Sequence, residues 1–165
     1  AYGPQNARRF LLLEALPVRS VSCFLAIVLA AVLLCACGGE TPYEPAATAD
    51  ALLESGAFSE HLESIDQDVA CLLYGLDEST VTDSAVYGST GATAEELAVF
   101  TLTDEEAAEA ARTALEARIS DQRAAYESYI PEEVTKLDTA ILDIRGSSVL
   151  LVVAADIEAA EAALD

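Results

Sequence analysis

The chain has 165 residues, 53% of them hydrophobic, and a formal net charge of −21 at pH 7. Residues 1–36 hold three basic side chains and one acidic side chain, so residues 37–165 carry 28 acidic against 5 basic side chains, a net charge of −23. Such a polyanion has no basic face that could displace counterions from phosphates. This excludes nucleic acid as a partner and favours a cationic one.

An uncharged hydrophobic segment of 14 residues, Val21 to Leu34, follows Arg19 near the start of the chain. An apolar run of this length behind a basic flank is typical of a secretory signal peptide, and it is shorter than the roughly 20 residues that a membrane span needs. We therefore expect residues 1–36 to be a cleaved signal peptide. Residues 1–17 do not fit such a leader, and we expect them to be an over-extended N-terminus upstream of the true translation start.

The end of this segment, Leu34-Cys35-Ala36-Cys37, is similar to the lipobox of bacterial lipoproteins. In that motif a small residue at −1 precedes a cysteine whose thiol accepts a diacylglycerol. The match predicts cleavage between Ala36 and Cys37 and lipidation of Cys37, whereas Cys35 is in the wrong register because Leu34 precedes it. Two or three acyl chains would anchor the protein stably, since one chain alone binds only marginally. The alternative is an ordinary signal peptide with two incidental thiols.

A mixture of Gly, Pro, Thr and Ala without periodicity over residues 37–49 predicts a flexible, lipid-anchored tether. Residues 50–165 are then expected to form one domain, which starts with two short helices. The first begins near Asp50 and ends at Gly56. The second lies in SIDQDVACLLYGL, with Gly75 at its C′ position. Its inward face is predicted to consist of Ile65, Val69, Leu72 and Leu73.

Two β-hairpins are predicted from alternation with period two. The first places Val86 and Tyr87 in one strand and residues 97–102 in the next, across a Gly-rich connection. The second lies in TAILDIRGSSVLLVVAA, with its turn at Gly146-Ser147. Because Val149–Val153 is apolar at every position, we expect a central strand that helices cover.

The longest helix is predicted between the two hairpins. Thr103-Asp104-Glu105-Glu106 has the spacing of a capping box, and Pro131 stops a helix that reaches about Tyr129. A last helix is expected after Asp156, which can cap it. The expected order is ααββαββα, a single α+β domain with a four-stranded, mostly antiparallel sheet packed with helices.

The chain resembles a bacterial lipoprotein family known only as domain of unknown function 4358. The resemblance rests on the lipobox and Gly-Gly tether and on the segments ALLESGAF, DVACLLYGLD, GATAEELAVF, YIPEEV and VLLVVAAD. It implies a lipid-anchored α+β domain, and it implies no activity, cofactor or site residue.

The sequence contains no recognisable catalytic or metal-binding constellation. His61 is the only histidine, and together with a single free thiol, Cys71, it is too little for a zinc site or a nucleophilic triad. We expect His61 to be exposed or helix-capping and Cys71 to be buried and inert. An EF-hand loop starting at Asp66 fails because Ala70 occupies the fifth position. Tyr126 and Tyr129 are expected in the core or at its rim, with ligand stacking as the alternative.

These observations predict a non-enzymatic, extracytoplasmic binding or interaction module that is anchored to the bacterial cell membrane through acylated Cys37. The expected partner is an extracytoplasmic protein, a wall polymer or a cationic ligand. The alternative is a small-solute or cation-binding lipoprotein, and a hydrolase is less favoured. No cofactor and no metal site is predicted.

Overall fold

An antiparallel sheet of five strands forms the middle layer of the computed structural model, which describes residues 41–91 and 93–165. The strands are β1 (Glu63–Ser64), β2 (Val81–Gly88), β3 (Glu96–Leu102), β4 (Ile141–Arg145) and β5 (Ser148–Val153). Their order across the sheet is β1-β2-β3-β5-β4, and all four neighbouring pairs are antiparallel. The strand β5, with every residue buried, therefore lies inside the sheet as its unbroken apolar run predicts.

Five α-helices cover the two faces of this sheet within the described residues. They are α1 (Pro45–Glu54), α2 (Gln67–Tyr74), α3 (Glu105–Tyr129), α4 (Val134–Asp138) and α5 (Ile157–Leu164). None of the described helices is both long enough and apolar enough to span a bilayer. Single 3₁₀ turns at Glu78–Thr80 and Pro131–Glu133 precede β2 and α4.

Side chains alternate along β3 and β5 between two hydrophobic cores, one on each face of the sheet. The face under α2 and α3 buries Phe100 and Leu151, together with Leu115 of α3. The opposite face buries Leu150, together with Leu52 of α1 and residues of α5. The domain is thus a three-layer α+β arrangement with helices on both sides of one sheet.

The predicted α+β class is confirmed, but the predicted count of four strands is wrong. The additional strand β1 consists of two exposed residues that pair with Tyr87 and Gly88 at the edge of β2. Such a short strand leaves no periodicity in the sequence. The short helix α4 after Pro131 was also not predicted, so the order is αβαββααββα.

The inward face predicted for α2 is wrong for Val69, Leu72 and Leu73, whereas Ile65, which precedes the helix, packs against the core. Ala70, Cys71 and Tyr74 are buried, whereas Leu72 is 85% exposed and Val69 is 53% exposed. The helix ends as predicted, at Gly75 with a φ of +69°. The helix is therefore rotated so that its smaller side chains and its tyrosine meet the sheet.

This orientation predicts that Leu72→Ala lowers the free energy of unfolding by less than about 0.5 kcal/mol, because an exposed leucine leaves no cavity when it is truncated. Urea unfolding followed by circular dichroism measures the change. A loss of about 2 kcal/mol or more, as for a buried leucine, would contradict the orientation.

The domain begins earlier than residue 50, since Pro45 occupies the first turn of α1 and the Glu44 carboxylate caps the Ala47 amide. Tyr43 is also buried, and its amide donates to Ser148 Oγ at 2.7 Å. Its hydroxyl donates to Asp143, and the Arg145 guanidinium lies 4.3 Å from its ring centre. Of the predicted tether 37–49, the part from Tyr43 onward is therefore folded, with Tyr43 against the β4–β5 hairpin and residues 45–49 in α1.

The long helix α3 begins as predicted but with a different cap. Asp104 rather than Thr103 is the N-cap residue, and its carboxylate accepts the Ala107 amide at 2.8 Å. The final helix is capped by Asp156 as predicted, through the Ala159 amide at 3.0 Å.

Candidate functional site

A half-open cavity of about 320 Å³ lies at the end of the sheet where β2 ends and β3 begins. The β2–β3 connection, the last turn of α2 and the middle of α3 form its walls. Ile65 and Leu73 supply apolar surface, and Glu96, Arg118 and Tyr126 supply polar groups. Its volume is at the lower end of the range for small-molecule sites.

Arg118 reaches the cavity because α3 runs back along the strand that precedes it. The seven residues of β3 cover about 20 Å from Glu96 to Leu102. The 15 residues from Asp104 to Arg118 cover about the same distance in a helix. The helix thus returns Arg118 to the level of Glu96, although the two residues are 22 positions apart.

Glu96 and Arg118 form a largely buried ion pair in the cavity wall. Arg118 Nη2 lies 2.9 Å from Glu96 Oε2. The Glu96 side chain is 7% exposed, and the Arg118 side chain is 19% exposed. The Gln122 amide, oriented so that its oxygen faces the guanidinium, accepts from Nη1 at 2.7 Å and from Nη2 at 2.8 Å. The guanidinium carbon also lies 5.4 Å from the ring centre of Tyr74.

The β2–β3 connection, which forms one side of the cavity, is held by hydrogen bonds to side chains of other segments. One oxygen of Glu60 accepts both the Ser89 and the Thr93 hydroxyls at 2.5 Å. These hydrogen bonds lower the pKa of Glu60, so the carboxylate stays ionised. Tyr126 donates its hydroxyl proton to the Thr93 carbonyl at 2.6 Å. These hydrogen bonds hold Ser89 and Thr93 in place on either side of the connection.

A second polar cluster, the Glu95–Lys136 network, lies immediately behind this connection. The fully buried Glu95 carboxylate accepts the amide and hydroxyl of Ser59 at 2.9 and 2.5 Å and lies 2.8 Å from Lys136 Nζ. Lys136 also lies 2.9 Å from Glu133, whose carboxylate accepts the Ala94 amide at 2.9 Å. The network joins the segment after α1, the start of β3 and the turn before α4.

Lys136 is held protonated, which limits the chemistry of this network. Burial alone would lower the pKa of Lys136, but its hydrogen bonds to Glu95 and Glu133 outweigh burial and raise it. The Ser59 hydroxyl donates to a carboxylate rather than to a basic nitrogen. The pair therefore lacks the neutral amine that activates a serine nucleophile.

The structure places Tyr126 in the cavity wall and the other candidate residues among those described, His61, Cys71 and Tyr129, outside the cavity. His61 is exposed, in the segment before β1. Cys71 is buried in α2 as predicted, and burial raises the pKa of its thiol, which is the state of an inert cysteine. Tyr126 lines the cavity, whereas Tyr129 is exposed at the end of α3.

The lipidation and cleavage residues, Cys37 and Ala36, lie outside the described residues, and so does the predicted signal peptide over 1–36. Within the described part of the chain, no group of three or more His, Cys, Asp or Glu side chains is arranged to hold a metal ion.

Sequence reasoning missed Glu96 and Arg118 as site residues. Acidic pairs are so frequent in this chain that Glu95-Glu96 did not stand out. Two signals were available: Glu95-Glu96 stands at the start of an apolar segment, and Arg118 is one of five basic residues after residue 36. Comparing the length of β3 with the rise of the following helix would have predicted that Glu96 and Arg118 lie side by side.

Residues 54–154 match the model of a family described as domain of unknown function (DUF4358). The chain belongs to this family. The matched segment includes the residues of the cavity and of the Glu95–Lys136 network, so both lie inside the DUF4358 domain. No curated protein and no solved structure shows significant similarity to the chain.

Proposed function

We propose that this DUF4358 chain is a lipoprotein, anchored in the bacterial cell membrane through acylated Cys37, whose domain is a non-enzymatic extracytoplasmic binding module. The observation that carries the binding role is the position of the cavity in the fold. The chain enters the domain at Tyr43, which is bonded to Ser148 at one end of β5. The cavity lies at the other end, beside Glu96, which pairs with Val153.

The two ends of the sheet are well separated. Thr101 pairs with Ser148, and the six residues from Glu96 to Thr101 span about 17 Å. The cavity therefore lies at the opposite end of the sheet from Tyr43.

The arrangement of side chains around the cavity disfavours a hydrolase, which was the least favoured of the functions considered from the sequence. Ser59 is hydrogen-bonded to a carboxylate, Lys136 is kept protonated by two carboxylates, and His61 is exposed outside the cavity. A binding module needs none of these groups to be reactive. A small-solute or cation-binding lipoprotein remains the second candidate, and the acidic surroundings of the cavity favour a cation.

Cys37→Ala is expected to abolish fatty-acid labelling of the full chain and to remove the processed protein from the membrane fraction. Cys35→Ala is the matched control, because it removes a thiol two residues away and leaves the proposed acceptor in place. Metabolic labelling with a palmitate analogue in a bacterial host measures both variants. Full labelling of Cys37→Ala, or loss of labelling in Cys35→Ala alone, contradicts the anchor.

A further inference from the structure

Three of the four large apolar side chains that are exposed in the described part of the chain lie on one short helix, α2. Val69 is 53% exposed, Leu72 is 85% exposed and Leu73 is 41% exposed. Their spacing of i, i+3 and i+4 places them on one face of the helix, opposite its buried residues. Single exposed apolar residues are common on protein surfaces, whereas a contiguous group is typical of an interaction site.

This exposed face of α2 continues into the cavity at the end of the sheet. Leu73 belongs to both, because it also lines the cavity together with Ile65. The cavity is half-open on this side, so a partner that lies on α2 has a recess beside the helix for one of its side chains. The surface therefore combines an apolar ridge with an adjoining hollow.

Carboxylates lie at both ends of the exposed face. Asp68 precedes Leu72 by one helical turn, and Asp77 and Glu78 follow the end of the helix. After burial, which acts most strongly, the charges of Glu78, Asp68 and Asp77 all raise the pKa of the Cys71 thiol. All three carboxylates are therefore close to the middle of α2.

No cationic side chain compensates these carboxylates in the described residues. The sequence has no Lys or Arg between Arg19 and Arg112. The five Lys and Arg side chains of residues 41–165 are all paired with other acidic residues, and no ion pair within that range includes Asp68, Asp77 or Glu78. The apolar face is thus bordered by uncompensated negative charge.

This charge distinguishes between three kinds of cover for the exposed face. A second copy of the chain would bring two sets of carboxylates together, and like charges across an interface oppose binding. A helix that lies on a lipid surface typically carries Lys and Arg on its polar face, whereas α2 contains no basic residue. A partner with basic side chains meets both requirements of the surface, since it compensates the carboxylates and covers the apolar group.

We propose that the exposed face of α2 docks an amphipathic helix of another protein, one that carries Lys or Arg side chains beside its apolar stripe. The apolar stripe packs against Val69, Leu72 and Leu73, whose helical spacing suits a second helix. The basic side chains lie against the carboxylates at the two ends of α2. The inference rests on the proposed binding function and names a docking surface and the class of partner.

A designed peptide of about 18 residues, long enough to form a helix, is the probe for this surface. It has Leu at positions i, i+3, i+4 and i+7 of each repeat and Lys elsewhere. One control peptide has the same composition in an order that breaks the apolar stripe, and a second keeps the stripe but has Glu in place of Lys. Binding is measured to the full chain in phosphatidylcholine vesicles at physiological salt, with empty vesicles subtracted.

Leu72→Trp reports directly on what covers the exposed face, because the chain contains no other tryptophan. The basic amphipathic peptide should shift the emission of this tryptophan to shorter wavelength and saturate, and both control peptides should bind about tenfold more weakly or less. Tyr129→Trp is the matched control, since Tyr129 is 76% exposed at the end of α3 and outside the surface. Its emission should not change. Equal binding of either control peptide, or no binding of the basic peptide, overturns the proposal.

The two other kinds of cover give different results in the same variant before any peptide is added. Quenching of the Leu72→Trp emission by brominated phosphatidylcholine would show that the lipid surface covers α2. A shift to shorter wavelength that grows with the number of chains per vesicle would show that a second copy does. Either result overturns the proposal.

Leu72→Gln should weaken binding of the basic peptide about tenfold or more, because it removes the most exposed apolar side chain of the surface. Tyr129→Gln is the matched control and should change binding less than about twofold. Both side chains are exposed, so both variants keep the fold. Fluorescence anisotropy of the labelled peptide measures the two affinities. Equal effects of the two variants would contradict the docking surface.

The contribution of charge is tested by removing two carboxylates at a time. Asp68→Asn with Glu78→Gln should weaken binding of the basic peptide about threefold or more. Asp121→Asn with Glu161→Gln removes the same charge from exposed positions on α3 and α5 and should have less than about a twofold effect. Equal effects would mean that the peptide binds the polyanion as a whole, which overturns the proposal.

Fatty-acid labelling at Cys37 tests the anchor independently of this surface. Failure of the peptide to bind while labelling is intact therefore rejects this inference alone. Loss of labelling with peptide binding intact rejects the anchor and leaves the docking surface in place.

Discussion

Replacing Lys136 with alanine is expected to lower the free energy of unfolding by about 3–5 kcal/mol, because it leaves the fully buried Glu95 carboxylate without its cation. The amide and hydroxyl of Ser59 remain as hydrogen-bond donors, but they carry no charge. Glu133 loses its cationic partner in the same substitution. Urea unfolding at pH 7 with fluorescence or circular dichroism detection measures the loss.

Arg123→Ala is the control for this prediction. Arg123 pairs with Glu127 and Asp138, but all three side chains are about half exposed. Such a pair contributes less than about 1 kcal/mol. Adding Glu95→Gln to Lys136→Ala should restore part of the lost stability, since the double variant no longer buries the Glu95 charge. Equal losses for Lys136→Ala and Arg123→Ala would mean that the network does not stabilise the domain.

The parts of the fold that could be predicted from sequence are those in which one local pattern has one structural solution. The unbroken apolar run Val149–Val153 predicts an interior strand, and Gly146 predicts the turn before it, where its φ is +55°. Pro131 predicts the end of α3. In each case the neighbouring residues alone are sufficient.

The prediction failed where the decision depended on distant packing. In α2, hydrophobicity alone favours Leu72 and Leu73 as the inward face, but the sheet surface under this helix accepts Cys71 and Tyr74 instead. Tyr74 meets Phe100 with ring centres 5.6 Å apart and nearly perpendicular planes. That contact, between two residues 26 positions apart, cannot be derived from the spacing within the helix.

The candidate site was not predictable for a related reason. Glu96 is one of many acidic residues, and only the pairing of β3 with the returning helix α3 distinguishes it, by placing Arg118 against it. The β2–β3 connection, which forms one wall of the cavity, is likewise held by hydrogen bonds to Glu60 and Glu133. These two residues lie before and after it in the sequence. The chemistry of the site is therefore a property of the tertiary structure.

Phe100→Ala is expected to lower the free energy of unfolding by about 3–5 kcal/mol, because it opens a cavity in the core of the central strand β3. Phe100 is fully buried and pairs with Ser84 on one side and Val149 on the other, so the backbone cannot easily collapse into the space. Phe100→Leu should cost less than about 1.5 kcal/mol, since most of the volume is retained.

Phe100→Ala also tests whether the core is coupled to the cavity wall through Tyr74, whose ring is nearly perpendicular to that of Phe100 and lies under the Arg118 guanidinium. Burial raises the pKa of Tyr74 well above its ordinary value, so in the native protein the hydroxyl stays protonated at alkaline pH. Truncating Phe100 removes one of the apolar groups that shield this ring from solvent, so the pKa of Tyr74 should fall toward its ordinary value. Ultraviolet titration of tyrosine ionisation in the folded variant, compared with the folded parent chain, measures the shift. An unchanged titration would mean that the core and the cavity wall are not coupled through Tyr74.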